Sequence, residues 1–259
     1  MVGLSMFTKL NLLSCLLISI LISLSGCGGG GGGGGEDGTG PIVEPFLDQN
    51  AFRYFPVNSN ATWTYSADNS MYRDQNWWLE DAGEISGYKA YALTRDTGTK
   101  EYYVSNETGV YLIGLYLPRV STNVGEFIAD IKFDELIPIL TQEMIDDFYS
   151  GNWSYYSGEG SVDIFPNYGL NDLTFTASHQ YNGDGICDSD ECLTNFDTKR
   201  MYLNIDMVAN IEGNSITLPL TFYADLAEGI GYTEFRQDYK TLYLSSLSGI
   251  DIPTAEVAE

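Results

Sequence analysis

The 259-residue chain carries 12 Lys and Arg against 36 Asp and Glu, a formal net charge of −24 at pH 7. A field of that sign repels nucleic acid and anionic lipid head groups, which excludes both as charge-driven partners, and it favours cations. With 19 Tyr, 12 Phe and 4 Trp but only 19% charged residues, the composition suits strands better than helices.

The first residues hold one cation, Lys9, and are followed by an apolar run from Leu10 to Leu24, mostly Leu, Ile and Ser, that ends in small residues. The run is too short and too rich in serine for a comfortable membrane span, and residues 1–26 have the anatomy of an export signal. Leu24-Ser25-Gly26-Cys27 resembles the lipobox of bacterial lipoproteins. The resemblance implies that Cys27 is diacylated on sulfur, the peptide before it removed and the new amine acylated. Several acyl chains hold a protein at a bilayer where one chain binds only marginally. Gly28 after the cysteine, in place of Asp, implies the outer membrane, on either of its faces. Loss of the leader removes Lys9 and no anion, leaving 11 cations against 36 anions.

Residues 27–50 read as a tether. Glycine keeps no fixed backbone, so the eight glycines from Gly28 to Gly35 and their neighbours to Gly40 form a leash with an r.m.s. reach of roughly 5–6 Å times the square root of its length. A β-rich domain is expected over 51–249 and a flexible tail over 250–259.

Within the domain, Tyr54-Phe55-Pro56-Val57 reads as a turn leading to a strand at Ala61 to Tyr65. Further strands are expected at Trp77 to Glu80, Tyr88 to Thr94, Glu101 to Ser105 and Val110 to Leu117. Asp81-Ala82-Gly83, Asp96-Thr97-Gly98 and Asn106 to Gly109 punctuate them. Around Thr141 the period changes: Thr141 can cap, Met144/Phe148 and Ile145/Tyr149 pair at helical spacing, and Gly151 can terminate a short helix near 141–150. Gly151 to Tyr155 then echoes Asn60 to Tyr65. Strands resume at Leu173 to Ser178, Met201 to Ile211, Ile216 to Tyr223, Gly231 to Phe235 and Lys240 to Leu244. The rhythm predicts an all-β fold, mainly antiparallel, as a curved half-barrel or a two-sheet arrangement. Trp77 and Trp78 must face opposite sides of their strand. Trp63, Trp77, Trp78 and Trp153 are candidates for contact, but core packing is the stronger reading for each and none is named as a ligand residue.

Two patches carry a second resemblance. Phe55-Pro56-Val57 with Asn60, Trp63 and Tyr65 is similar to the Phe-Pro-Leu-x-x-Gly-x-x-Trp-x-Tyr opening of many uncharacterised all-β bacterial lipoproteins. Tyr223-Ala224-Asp225 with Glu228-Gly229-Ile230-Gly231-Tyr232 is similar to their closing strand-turn-strand. Asn60 stands where that pattern has Gly, a mild departure because Asn also tolerates a left-handed backbone. The resemblance implies the fold class and brings no catalytic residue.

The one constellation with chemistry runs from Gln180 to Cys192. Against the calcium-loop pattern, Gln180 takes position 1, Asn182 position 3, Asp184 position 5, Gly185 the sharp turn, Ile186 a carbonyl, Asp188 position 9 and Glu191 position 12. It resembles the loops of EF-hand and thrombospondin-type repeats, which implies a structural Ca2+ ion. Neutral Gln180 where the pattern has Asp lowers the expected affinity to dissociation constants on the order of 10⁻⁴–10⁻³ M. Cys15 leaves with the leader and Cys27 carries lipid, so Cys187 and Cys192 read as one disulfide stapling the loop. An acidic, stapled surface loop without an ion is the alternative.

Enzymatic signatures are thin. His179, the one histidine, reads as a strand-end residue without a Ser or Cys nucleophile partner. The chain has no His-Glu-x-x-His, Gly-x-x-x-x-Gly-Lys or Gly-x-Ser-x-Gly. The expected function is a non-catalytic binding or interaction module at the envelope. It would recognise an apolar molecule, a glycan or a partner protein through a concave aromatic face. The alternative is a calcium-stabilised polysaccharide hydrolase using paired carboxylates, recognisable by two acids facing each other about 5–10 Å apart.

Overall fold

Alternation of apolar and polar side chains along the chain builds one continuous sheet. In a computed structural model, residues 47–68, 72–122, 125–147, 152–187, 196–237 and 240–250 are described. The leader, the tether up to residue 46 and the tail from residue 251 lie outside them; residues 47–50, expected as the end of the tether, are described and include a strand.

A two-residue pair, β1 (Leu47–Asp48) and β2 (Val57–Asn58), precedes the sheet. The sheet strands are β3 (Thr62–Ala67), β4 (Gln75–Ile85), β5 (Tyr88–Arg95), β6 (Lys100–Asn106), β7 (Gly109–Thr122) and β8 (Gly125–Thr141). After α1 (Gln142–Asp146) come β9 (Trp153–Phe165), β10 (Gly169–Cys187), β11 (Phe196–Ile211), β12 (Asn214–Ala227), β13 (Gly231–Gln237) and β14 (Lys240–Ser248). Each pairs antiparallel with its sequence neighbour, and β14 pairs with β3, so twelve strands close into a barrel.

The expected all-β, antiparallel class and the short helix are present. Thr141 caps α1 by accepting a hydrogen bond from the Met144 amide. The sheet goes further than a half-barrel or two layers, because Leu242, Tyr243 and Leu244 find Ala67, Ser66 and Tyr65 and seal the ring. Asp81-Ala82-Gly83, read as a turn, is a bulge inside β4: Gly83 takes a positive φ of 72° and the ladder continues to Ile85. Strand β8, absent from the sequence expectations, alternates Phe127, Ala129, Ile131 and Phe133 inward.

The barrel is filled. Along β11, Met201, Leu203, Ile205, Met207 and Ala209 are buried while Arg200, Asn204 and Asp206 share the outer face. Apolar inside and polar outside is the reverse of a membrane-spanning barrel. Chain direction puts the β12–β13 turn and the β6–β7 turn at one end, and the segment 52–57 closes that end. The Phe52 amide donates to Ser105 Oγ (2.9 Å), Ser105 Oγ donates to the Phe55 carbonyl (3.2 Å), and the Gly229 amide donates to the Arg53 carbonyl (2.7 Å). Phe55 packs on Tyr103 at 4.8 Å between ring centroids. The two lipoprotein-like patches therefore meet in space. Trp63 Nε1 donates to the Ile230 carbonyl (2.7 Å) and the Tyr65 hydroxyl to the Tyr232 carbonyl (2.8 Å).

At the other end a charge sits in this interior. Arg95 pairs with Glu101, both almost fully buried, and the Tyr103 hydroxyl donates to Glu101 Oε2 (2.8 Å). The guanidinium lies 4.3 Å from the Trp77 ring and 4.5 Å from the Phe235 ring, so π faces replace part of its lost hydration.

His179 is not a strand end. It lies inside β10, is 1% exposed, and its Nε2 lies 2.7 Å from the Ile139 carbonyl of β8, which fixes that nitrogen as the protonated one. Burial depresses its pKa to about 4, against a smaller opposing effect of that hydrogen bond. The unfolded chain takes up this proton near pH 6.5, so the stabilisation is complete above that pH and is lost as pH falls toward 4, about 3 kcal/mol in all. In urea denaturation at pH 7 and pH 4, the wild type is expected to lose about 3 kcal/mol more than His179→Gln, whose amide can still donate to Ile139. Equal losses would show that this imidazole does not carry the acid sensitivity.

Candidate functional site

The concave face expected to receive a ligand is largely the packed core, and the exposed aromatic rings lie on the outer wall. Trp63 and Trp77 belong to that core and Trp78 is half-buried, with Nε1 donating to Glu80 (2.9 Å). Trp153 differs. It is 42% exposed and opens β9 on the outer wall.

The register of four strands sets a row beside it. Trp153 pairs with Gln180, Gln180 with Tyr202, Tyr202 with Tyr223, and Tyr223 with Arg236. Partners in register stand on the same face of a sheet, so these side chains line up across β9 to β13. Trp153 and Tyr202 meet edge to face, ring centroids 5.2 Å apart at 83°, and Tyr202 and Tyr223 are 4.5 Å apart at 52°. Burial, then the neighbouring Tyr223, raises the Tyr202 pKa; the phenol is therefore a neutral hydrogen-bonding group at neutral pH. Tyr223 is 50% and Tyr155 75% exposed. The result is an aromatic platform facing solvent, with the Gln180 amide within it.

A charged row runs alongside. Asp225 accepts from Arg200 Nε (3.0 Å) and Thr198 Oγ1 (3.1 Å), and Glu234 pairs with Arg236. Asp225 and Glu234 are register partners on β12 and β13, the nearest approach in this wall to the acid pair of a hydrolase. Each is already engaged by an arginine, which leaves neither placed as a free acid or base. The hollow they line, about 120 Å³, also touches Asn182 and Tyr223.

The calcium-type segment occupies the β10–β11 hairpin. Gln180, Asn182, Asp184 and Ile186 lie on β10, paired with β11 as Gln180↔Tyr202, Asp184↔Lys199 and Ile186↔Asp197. At strand rise, Gln180 and Ile186 are roughly 20 Å apart, whereas an ion gathers its oxygens at about 2.3–2.6 Å. Asp184 is held by Lys199 and by the Tyr181 hydroxyl (3.1 Å), and Lys199 chiefly lowers its pKa. The left-handed turn sits at Gly183 (φ 83°), not at Gly185, over which Arg200 crosses. The described part of the segment thus does not gather a cation shell, and among the described residues no three His, Cys, Asp or Glu side chains converge. Asp188, Glu191 and Cys192 lie outside the described residues, and so does the Cys187–Cys192 pairing; Cys187 ends β10.

Sequence reasoning did not place Tyr202 or Tyr223 at a binding surface; Tyr223 entered only through the closing patch of the lipoprotein resemblance. The signal was the parity of β11: Tyr202 falls in phase with Arg200, Asn204 and Asp206, the wet side of the strand.

The chain matches no protein-family model, and no curated protein matches it. A crystal structure of a protein from Parabacteroides distasonis, provisionally described as a lipoprotein, is similar over 77% of this chain and 100% of that one, at 12% identity and a TM-score of 0.33. A likeness at that level carries no argument about function.

The calcium reading is tested by melting the protein in millimolar calcium, where an unchanged melting temperature would reject the site. A calcium-dependent rise that Asp184→Ala abolishes would show that the segment leaves the ladder and wraps an ion.

Proposed function

We propose that the protein is a lipid-anchored lipoprotein of the outer membrane that binds neutral glycans without catalysis. The observation that carries the reading is the solvent-facing row Trp153–Tyr202–Tyr223 on a barrel whose interior is full. Exposed Trp and Tyr are the side chains that supply rigid contact area at low entropic cost, and here three of them stand in contact with one another. Sugar rings present apolar C–H faces to such a surface and hydroxyls to its rim, where Gln180 and Arg236 offer donors. The net charge of −24 opposes acidic polysaccharides and leaves neutral ones. A glycan is favoured over a protein partner because three rings make a strip far smaller than the roughly 800 Å² per partner of a stable protein interface.

The anchor rests on Leu24-Ser25-Gly26-Cys27 and the glycine tether after it. In cells fed a clickable palmitate analogue, the full-length protein is expected to take up label and Cys27→Ser to lose it. Unlabelled wild type with its leader intact would overturn the anchor.

Binding is tested with the soluble polysaccharides dextran, laminarin and mannan by calorimetry and affinity electrophoresis. At least one is expected to bind, with Trp153→Ala weakening it about tenfold, or about 1.4 kcal/mol, while the melting temperature stays within a few degrees. Binding by none, or undiminished binding by the variant, would overturn the glycan reading. Opposed free carboxylates beside the aromatic row would favour the hydrolase; the acids there, Asp225 and Glu234, are each held by an arginine.

A further inference from the structure

The end of the barrel opposite the segment 52–57 contains a small cavity of about 210 Å³, lined by Tyr72, Gln75, Arg95, Phe235, Gln237, Lys240 and Leu242. Its polar groups are unbalanced. Trp77 Nε1 is a donor only, so its hydrogen bond to Gln75 Oε1 (3.0 Å) uses that acceptor and leaves the Gln75 NH₂ as the free end of the amide. Arg95 Nη1 likewise donates to Gln237 Oε1 (3.4 Å), leaving the Gln237 NH₂. Arg95 Nη2 goes to Glu101, and Arg95 Nε is buried with no hydrogen-bond partner, in a residue only 6% exposed. Among the described residues, Lys240 Nζ reaches the Arg73 carbonyl, at 3.5 Å, and leans 5.6 Å from the Tyr72 ring.

Two cations and two amide NH₂ groups therefore border a space whose side-chain acceptors are taken. Buried N–H groups are paired in nearly all folded proteins, and an unpaired one on a charged group is costly. The group that balances such a site accepts hydrogen bonds, carries negative charge and is small. Phe235 and Leu242 supply an apolar wall. Asp68, Asp74 and Asp96 lie close enough to act on Lys240, so a second negative charge on the ligand meets repulsion.

We infer that this cavity binds a small monocarboxylate, its oxygens toward Lys240 and the two glutamine amides on the side lined by Arg95, and its short alkyl end against Phe235 and Leu242. Burial and then the repulsion of Arg95 lower the Lys240 pKa in spite of the nearby aspartates, the behaviour of an ammonium short of a counter-ion. A cavity of this volume has room for a few non-hydrogen atoms, which sets the scale at acetate to butyrate. The site lies inside the barrel end and is independent of the outer aromatic row.

The full chain is titrated with acetate, propionate and butyrate, with phosphate, and with chloride at matched ionic strength and pH 7, reading melting temperature and calorimetric heat. A carboxylate is expected to give a saturable rise that chloride does not. Lys240→Met and Gln237→Glu are each expected to weaken that response at least tenfold. Gln237→Glu keeps the acceptor for Arg95 and replaces only the donor, and melting in chloride verifies that both variants fold. Absence of a saturable carboxylate effect, or an undiminished effect in the folded variants, would overturn the inference. A stronger response to phosphate than to any carboxylate would overturn the ligand class.

Discussion

Leu242, Tyr243 and Leu244 of the last strand lie against Ala67, Ser66 and Tyr65 of the first, and this contact turns a long meander into a ring. A closed sheet has one inner face, and that face must either hold water or be packed. Here it is packed, and the segment 52–57 takes part in the packing through Phe52 and Phe55. The need to fill twelve strands explains the aromatic excess of the composition. Trp77, Tyr65, Phe235 and Tyr232 stack in one cluster because aliphatic side chains alone would leave the middle of so wide a ring empty. Interiors tolerate few voids.

The two proposed recognition surfaces are the outer wall, where the register sets Trp153, Tyr202 and Tyr223 side by side, and the end where the packing leaves a hollow beside Arg95. The two locations differ in chemistry. The wall offers flat rings and engaged charges; the end offers unspent donors. The Arg95–Glu101 pair links the cavity to the core, since the glutamate that neutralises the arginine also accepts from Tyr103, which in turn lies 3.0 Å from the Tyr232 hydroxyl.

Much of the fold was legible because the strands obey a period of two. The expected strands Tyr88 to Thr94, Glu101 to Ser105 and Met201 to Ile211 all fall inside observed ones, and Thr141 caps the short helix as its side chain suggested. What misled was local punctuation. Asp81-Ala82-Gly83 has turn chemistry, yet the same positive φ serves a bulge, and only the pairing partner Tyr88–Tyr91 decides between them. Strand β8 was missed because Asp134, Glu135 and Pro138 interrupt its apolar alternation, and its ladder to β7 skips there. The calcium-type spacing carries alternating oxygens, as a half-exposed strand also does; Gln180 to Ile186 lies in register with β11, and Asp188 and Glu191 lie outside the described residues. Closure was invisible to sequence reasoning, because it is a contact between the two ends of the domain. The outer aromatic row could have been read only from the parity of Tyr202 once β11 was known to have a wet side.

Ring closure also bears on how copies of the protein behave beside one another. An open sheet of this length would display two rows of unpaired amides and carbonyls, each able to recruit a second chain. Joining β14 to β3 consumes both rows internally. Among the described residues the twelve-stranded sheet therefore presents no open edge on which a neighbouring copy could add a strand.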